Sequence, residues 1–255
     1  MENWRILKRE ETDNSYKKMA LDEAILNSVA KGKAPATLRF YNWNHPAVAI
    51  GYFQAIKKVV DIEACKRDKV EIFRRMTGGG AVYKDPTGEF NYSLIIKESA
   101  PGIPKNIMQS YRAIEQGIIE GLNILGLKAK VAGINDIVVN QKKISGNAQT
   151  RKRGVILQHG TLLLDFNIEK MATYLKIPKE KLSDKGIKNI KERVGTITEY
   201  LPNISLDDIE KALIKGFCKT FKVSPKEGKI TNKEKEEKEK LYKKKYSTKE
   251  WNYWR

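Results

Sequence analysis

The chain has 255 residues, 40% hydrophobic and 31% charged, with aromatics spread along most of its length, which describes a globular protein of one large or two small domains rather than a disordered one. No apolar run approaches the roughly 20 residues that span a bilayer, the first residues lack a signal-peptide core, and Cys65 and Cys218 lie far apart, so a reducing, cytoplasmic setting is expected. The 49 Lys and Arg against 31 Asp and Glu give +18, a charge that attracts nucleic acid, anionic membranes, acidic proteins and nucleotides alike, while two histidines and two separated cysteines exclude a Cys/His zinc cluster.

Asn14 or Ser15 can cap a first helix whose Leu21, Ala24, Ile25 and Val29 fall at helical spacing. Leu38–Tyr41 and Ala47–Gly51 read as strands on either side of the Asn42–Pro46 interruption. A helix over Ile56–Arg67 precedes a strand at Val70–Phe73, then a basic, glycine-rich turn, Arg74-Arg75-Met76-Thr77-Gly78-Gly79-Gly80, and a further strand. Phe90–Ile96 is another strand. The cleanest periodicity is Ile107, Tyr111, Ile114, Ile118, Leu122 and Leu125, closed by Gly126, which predicts a long helix packing one face on a sheet.

Lys128–Val131, Asp136–Val139, Lys142–Ser145 and Val155–Phe166 read as strands, with Asn140-Gln141 a hairpin turn. Helices follow near Ile168–Leu175 and from a Ser205 cap through Phe221. Residues 226–255 carry +5 of the net charge; Lys233–Lys245 reads as a solvated helix, and a short capped turn then presents Trp251 and Trp254, to the body or to a partner. The mixed order predicts an α+β fold with a mixed, largely antiparallel sheet packed with helices.

Three segments could carry chemistry. The Gly78-Gly79-Gly80 loop lets backbone N–H groups approach a ligand, and Arg74 and Arg75 add fixed positive charge suited to a phosphate or carboxylate. It is neither a Walker A loop, lacking Gly-Lys-Ser/Thr, nor a dinucleotide fingerprint, lacking the third spaced glycine. In the second segment, Asn135 and Asp136 stand one hairpin away from Lys143, so an acid and a cation could share one anionic substrate. The third is Gln158-His159-Gly160-Thr161. Neither cysteine is set beside a histidine, and no serine sits in a Gly-x-Ser-x-Gly elbow.

Together, Leu21-Asp22-Glu23-Ala24-Ile25, Leu38–Trp43, Ala49–Gln54, Arg74–Val82, Asn135-Asp136 with Lys143–Gln149, Leu157–Leu163 and Lys185–Lys188 with Arg193-Val194 resemble the lipoate-protein ligase A family of the biotin/lipoate ligase superfamily, in order and spacing, over nearly the whole chain. The ending, Lys245-Tyr246-Ser247 to Trp251-Asn252, resembles it too. The resemblance implies a catalytic domain over residues 1–225, with 226–255 as its basic helical extension. It implies activation of lipoate with ATP and Mg²⁺ to lipoyl-AMP, then acylation of a lysine on a lipoyl domain or glycine cleavage H protein.

By the same resemblance, Arg74, Gly78, Gly79, Gly80, Ala81 and His159 match residues holding lipoate and the adenylate. Val82, Tyr83, Asn135 and Asp136 match the nucleotide side, with Asp136 the candidate Mg²⁺ ligand. Lys143 matches the catalytic lysine that grips carboxylate and α-phosphate. Two departures stand out: Tyr83-Lys84-Asp85 replaces a histidine-aspartate pair, and the chain resembles short forms that lack the C-terminal accessory domain, so a separate small subunit is an expected partner.

The nearest alternative is octanoyltransferase, a relative that passes its acyl group through a cysteine placed shortly before the Lys-Ile-Ser/Ala-Gly segment; here that stretch, Gly133–Asp136, has none. A biotin ligase fits these motifs less well. A basic nucleic-acid-binding protein is the alternative of another class, ranked behind both enzymes.

Overall fold

The computed structural model describes residues 3–9, 13–176 and 192–255. The Lys185–Lys188 part of the family resemblance lies outside them. Strands β1 (Asn3–Leu7), β2 (Thr37–Tyr41), β6 (Glu89–Lys97), β7 (Ala129–Ala132), β8 (Asp136–Val139), β9 (Lys142–Lys152), β10 (Val155–Leu163) and β11 (Ser224–Glu227) form one sheet in the order β11-β1-β2-β6-β10-β9-β8-β7. β1 runs parallel to β11 and β2, and the remaining pairs are antiparallel. A second, three-stranded sheet has β3 (Ala47–Ile50) between parallel β4 (Glu71–Arg74) and antiparallel β5 (Val82–Lys84). The fold is α+β, as the element order predicts.

Alternation along β2 and β6 sends Leu38, Phe40, Phe90, Tyr92, Leu94 and Ile96 to one face. There they meet helices α4 (Ile107–Ile124) and α6 (Leu206–Phe221), whose Ile114, Ile118, Leu122, Ile209, Leu213 and Phe217 recur at helical spacing. Burying each such side chain contributes about 1.5–3 kcal/mol. Ile95, Val155 and Leu157 face the other way, onto Leu21, Ile25 and Val29 of α1 (Ser15–Ala30). Caps act where the sequence places them: Asn14 and Ser205 accept backbone N–H bonds from Lys17 (2.9 Å) and Asp208 (3.1 Å). Asn140 and Gln141 both have positive φ, the geometry of a tight hairpin.

The structure departs from the sequence expectations in three places. The helix expected over Ile56–Arg67 is two, α2 (Ile56–Val59) and α3 (Ile62–Arg67), because Val60 leaves to bridge Leu175 while Asp61 caps the second with a 2.9 Å bond from Ala64 N–H. β1 and β11 were not anticipated.

The expected solvated helix, α7 (Asn232–Leu241), instead lies along α1, and its Glu234 is fully buried with both carboxylate oxygens taken by Arg5 at 2.6 and 2.8 Å. A π-turn over Tyr242–Tyr246 then drops Tyr246 into the core, its hydroxyl 2.7 Å from Glu23. Helices α5 (Ile168–Tyr174) and α8 (Lys249–Asn252) and a 3₁₀ turn at Ile197–Glu199 lie beside these. Among the described residues, no helix is long and apolar enough to cross a membrane.

Candidate active site

A cavity of about 340 Å³ opens between the two sheets. Met19, Tyr41, Trp43 and Phe73 supply an apolar wall; the Gly79–Tyr83 loop covers it; Asn135, Lys143, Asn147 and His159 supply polar groups from the large sheet. A ligand with an apolar body and a polar, anionic head suits such a mixed lining, since apolar walls take up area while a few placed polar groups fix orientation.

Lys143 comes to this cavity through the β8–β9 hairpin. The register of the two strands slips by one residue between Ile137 and Val138, a bulge that bends the pair and re-aims side chains. The Lys143 ammonium lies 2.7 Å from the Asp136 carboxylate, and both groups remain partly exposed. Asn135 is locked to the neighbouring strand: Asn147 N–H donates to its carbonyl at 2.9 Å, and its own amide donates back to the Asn147 carbonyl. The acid and cation that the sequence places one hairpin apart do meet.

The glycine loop is held by Arg75. This guanidinium is buried and bonds the Thr77 hydroxyl (3.0 Å) and the carbonyls of Ala49 (3.2 Å), Gly78 (2.8 Å) and Gly80 (2.8 Å). Burial pulls its pKa down to about 10, so it keeps its charge at neutral pH. With carbonyls and a hydroxyl as these partners, it leaves positive charge beside the loop that favours an anionic ligand. Gly79 has φ +94, and a Cβ there would lie 2.9 Å from the Arg75 guanidinium, so the turn takes only glycine at low cost.

Two residues matched to lipoate binding stand elsewhere. Arg74 is fully buried and does not line the cavity: its guanidinium bonds the carbonyls of Gly51, Tyr52, Gln54, Trp251, Asn252 and Arg255. Its backbone N–H also donates to Asn252 Oδ1 at 2.8 Å, and its carbonyl accepts from the Trp251 indole at 2.9 Å. The cause is strand alternation, which turns successive arginines to opposite sides, so Arg74 fastens the C-terminal segment while Arg75 faces the cavity. Gly78 likewise stands back from the lining, whereas Gly79, Gly80, Ala81, Val82 and Tyr83 contribute to it.

His159 lines the cavity wall as a neutral imidazole. Burial lowers its pKa, against the opposing pull of Asp22, and Nε2 pairs with the Thr77 hydroxyl at 2.8 Å. Nδ1 stands 3.7 Å from Asp22 Oδ2, beyond hydrogen-bond reach; that carboxylate accepts from Arg39 (2.6 Å) and Ser93 (2.8 Å). Lys84 is buried in the lining and pairs with Glu89 at 3.2 Å and with the Thr161 hydroxyl. The buried pairs Asp22–Arg39 and Lys84–Glu89 escaped the sequence reading. Charged residues inside otherwise apolar strand and helix patterns were their one visible signal.

Asp136 reaches the cavity through Lys143 and is not itself in the lining. Among the described residues no three His, Cys, Asp or Glu side chains come together as a metal site. One carboxylate fits an Mg²⁺ that is held mainly by triphosphate oxygens and water, and does not fit a resident ion caged by protein. Neither cysteine lines the cavity. Cys65 is buried behind the small sheet, where burial and the nearby Asp61 and Asp68 push its thiol up to about 12; burial also raises Cys218, on α6.

The family model for the lipoyl protein ligase A/B catalytic domain matches residues 14–218. The octanoyltransferase LipM of Geobacillus kaustophilus is 38% identical, over 92% of this chain and 92% of the relative. Subunit 1 of lipoate-protein ligase A from Thermoplasma acidophilum is 36% identical, over 97% and 95%. A solved structure of the bi-partite lipoate protein ligase of Thermoplasma acidophilum, described with its E2 lipoyl domain, superposes with a TM-score of 0.89 at 36% identity, covering 99% of this chain and 96% of that one. This chain belongs to the lipoyl protein ligase A/B catalytic domain family.

Proposed function

We propose that the chain is the large subunit of a two-part, cytoplasmic lipoate-protein ligase. A lipoate carboxylate oxygen attacks the α-phosphorus of ATP, the bond to pyrophosphate breaks, and lipoyl-AMP forms. The ε-amine of an acceptor lysine, on a lipoyl domain or glycine cleavage H protein, then attacks the acyl carbon, loses its proton and releases AMP. The single observation that carries this reading is that the cavity offers an ammonium, Lys143, and no thiol.

Lys143 neutralises charge shared between carboxylate and α-phosphate, where it increases most in the transition state. Arg75 and the Gly79–Gly80 backbone support the anion on the opposite side. Asn135 and Asp136 serve the nucleotide end, and Mg²⁺ enters with the triphosphate. The apolar wall of Met19, Trp43 and Phe73 takes the acyl chain. The similarity to the Thermoplasma subunit supports a separate small partner, and the diffuse +18 suits docking of an acidic acceptor better than sequence-specific contact with nucleic acid.

A second reading is octanoyl transfer, which the name of the Geobacillus relative supports better than it supports ligation. That route needs a thiolate to carry the acyl group. Cys65 and Cys218, the chain's two thiols, both stand outside the cavity with raised pKa, so no thiolate is available there at neutral pH. Lipoate-dependent exchange of labelled pyrophosphate into ATP tests the ligase reading. Exchange that appears only with lipoate or a related acid supports it, and its absence with every small-subunit candidate overturns it.

A further inference from the structure

Helix α4 carries a carboxylate that the chemistry above does not use. Glu115 has no exposed surface and sits beside Ile114 and Ile118 in the helix face that packs on the sheet. Burial pushes it up to about 7, against the pull of Arg112. A buried acid with sparse partners costs stability that an apolar residue at that place would not. Its partners are Arg112 Nη1, one turn earlier, and Asn147 Nδ2, each at 3.4 Å.

Both partners lead to the site. Arg112 also donates through Nη2 to the carbonyl of Gly133, the first residue of the β7–β8 turn. Asn147 lines the cavity, and its side-chain amide is held from both sides: Nδ2 faces Glu115 and the Asn135 carbonyl (3.1 Å), while Oδ1 accepts from the Tyr92 hydroxyl (2.8 Å). Asn147 is in turn locked to Asn135, which precedes Asp136, the partner of Lys143. One helical turn of α4 therefore grips the 133–136 segment at two points, from outside the cavity.

We propose that Arg112 and Glu115 are a positioning pair for the nucleotide end of the site, holding the 133–136 turn and, through Asn135 and Asn147, the placement of Asp136 and Lys143. The assignment to nucleotide rests on the ligase reading, while the grip on the turn rests on geometry alone. A lysine whose ion pair among the described residues is with one partly exposed carboxylate depends on its supporting strands for precision, which the bonds behind those strands supply.

The test uses the full chain with Glu115→Ala, Glu115→Gln and Arg112→Ala. In Glu115→Ala and Arg112→Ala, amide hydrogen exchange in peptides spanning 133–136 should speed about tenfold while β10 is unchanged, and ATP affinity by calorimetry should fall about tenfold with lipoate affinity within about twofold. Glu115→Gln, which can still accept from Asn147, should recover most of the ATP affinity. If Glu115→Ala fails to fold, Arg112→Ala, at a partly exposed position, carries the test. Unchanged exchange in the turn, or equal losses of ATP and lipoate affinity, overturns the proposal. A wild-type chain that binds no ATP instead overturns the ligase reading, and the exchange measurement then decides the positioning role by itself.

Discussion

The ammonium of Lys143, in the cavity lining, lies 2.7 Å from the carboxylate of Asp136 just behind it, and both groups pass close to the small face of Gly146. A Cβ at Gly146 would stand 3.1 Å from the ammonium nitrogen, 3.2 Å from the carbon bearing it and 3.7 Å from the Asp136 oxygen. Lys143→Ala should lower adenylate formation by about 10²–10³-fold, the usual scale for removing one preorganised charge. Its stability should barely change, because a partly exposed ion pair contributes about 0–1 kcal/mol. Gly146→Ala should lower the same rate about tenfold by displacing the lysine, a smaller loss than outright removal. Pyrophosphate exchange and thermal melts on the two variants check both.

Thiol chemistry is separable from this by mutation. The double variant Cys65→Ala, Cys218→Ala should keep at least about half of the wild-type acylation rate, since neither sulfur is a nucleophile at the cavity. Cys65 is fully buried, so a stability loss of about 1–2 kcal/mol is expected and activity should be compared well below the melting temperature. Mass spectrometry of the acceptor domain reads the outcome; loss of acylation by a folded variant points to a thioester.

Arg74 and Arg75, neighbours in sequence, should respond differently to substitution. Arg74→Ala strands buried carbonyls and frees the C-terminal segment, each unsatisfied group costing about 1–3 kcal/mol, so the chain should lose most of its stability. Asn252→Ala, a milder cut at the same junction, should cost about 1–3 kcal/mol in urea unfolding and leave the KM for lipoate unchanged. Arg75→Lys should raise that KM, because one ammonium cannot replace Nε, Nη1 and Nη2 across the Thr77 hydroxyl and the Ala49, Gly78 and Gly80 carbonyls.

Acid should detach α7. Burial works to raise the pKa of Glu234, but bonds from Arg5 and Thr231 outweigh it and hold the carboxyl below its ordinary 4.5. Glu23, bonded by Lys245 and Tyr246, is lowered in the same way against burial. A carboxyl with a depressed folded pKa stabilises the fold above its unfolded value and loses that contribution as pH falls through the folded one. Stability should therefore drop as pH goes below about 4.5, and Glu234→Gln should flatten part of that drop. Urea midpoints across pH measure it.

Long apolar periodicity was legible, and so was local turn chemistry: α4 and the Asn140-Gln141 hairpin emerge where spacing and φ preference put them. The ends of the large sheet were not. β1 and β11 are short and pair in parallel with strands far away in sequence, and β11 contains a proline, so their places in the sheet are set by long-range packing. α7 reads as solvated because its anchor is ionic, through Glu234, Lys238 and Glu239, and leaves no apolar stripe.

At the site, Lys143, Asp136 and the glycine loop were visible as residue types at a spacing. Which of two adjacent arginines faces the cavity depends on the strand's orientation, and that is set by tertiary packing. The contribution of Glu115 was hidden for a similar reason: its partner Asn147 is 32 residues away on a different element.

The most direct measurement incubates the purified chain, with a candidate small subunit, an apo lipoyl domain and either of two acyl donors, and weighs the domain. Free lipoate should add a lipoyl mass to one lysine only when ATP and Mg²⁺ are present, and octanoyl acyl carrier protein without ATP should add nothing. Octanoylation from the carrier protein in the absence of ATP would contradict the account.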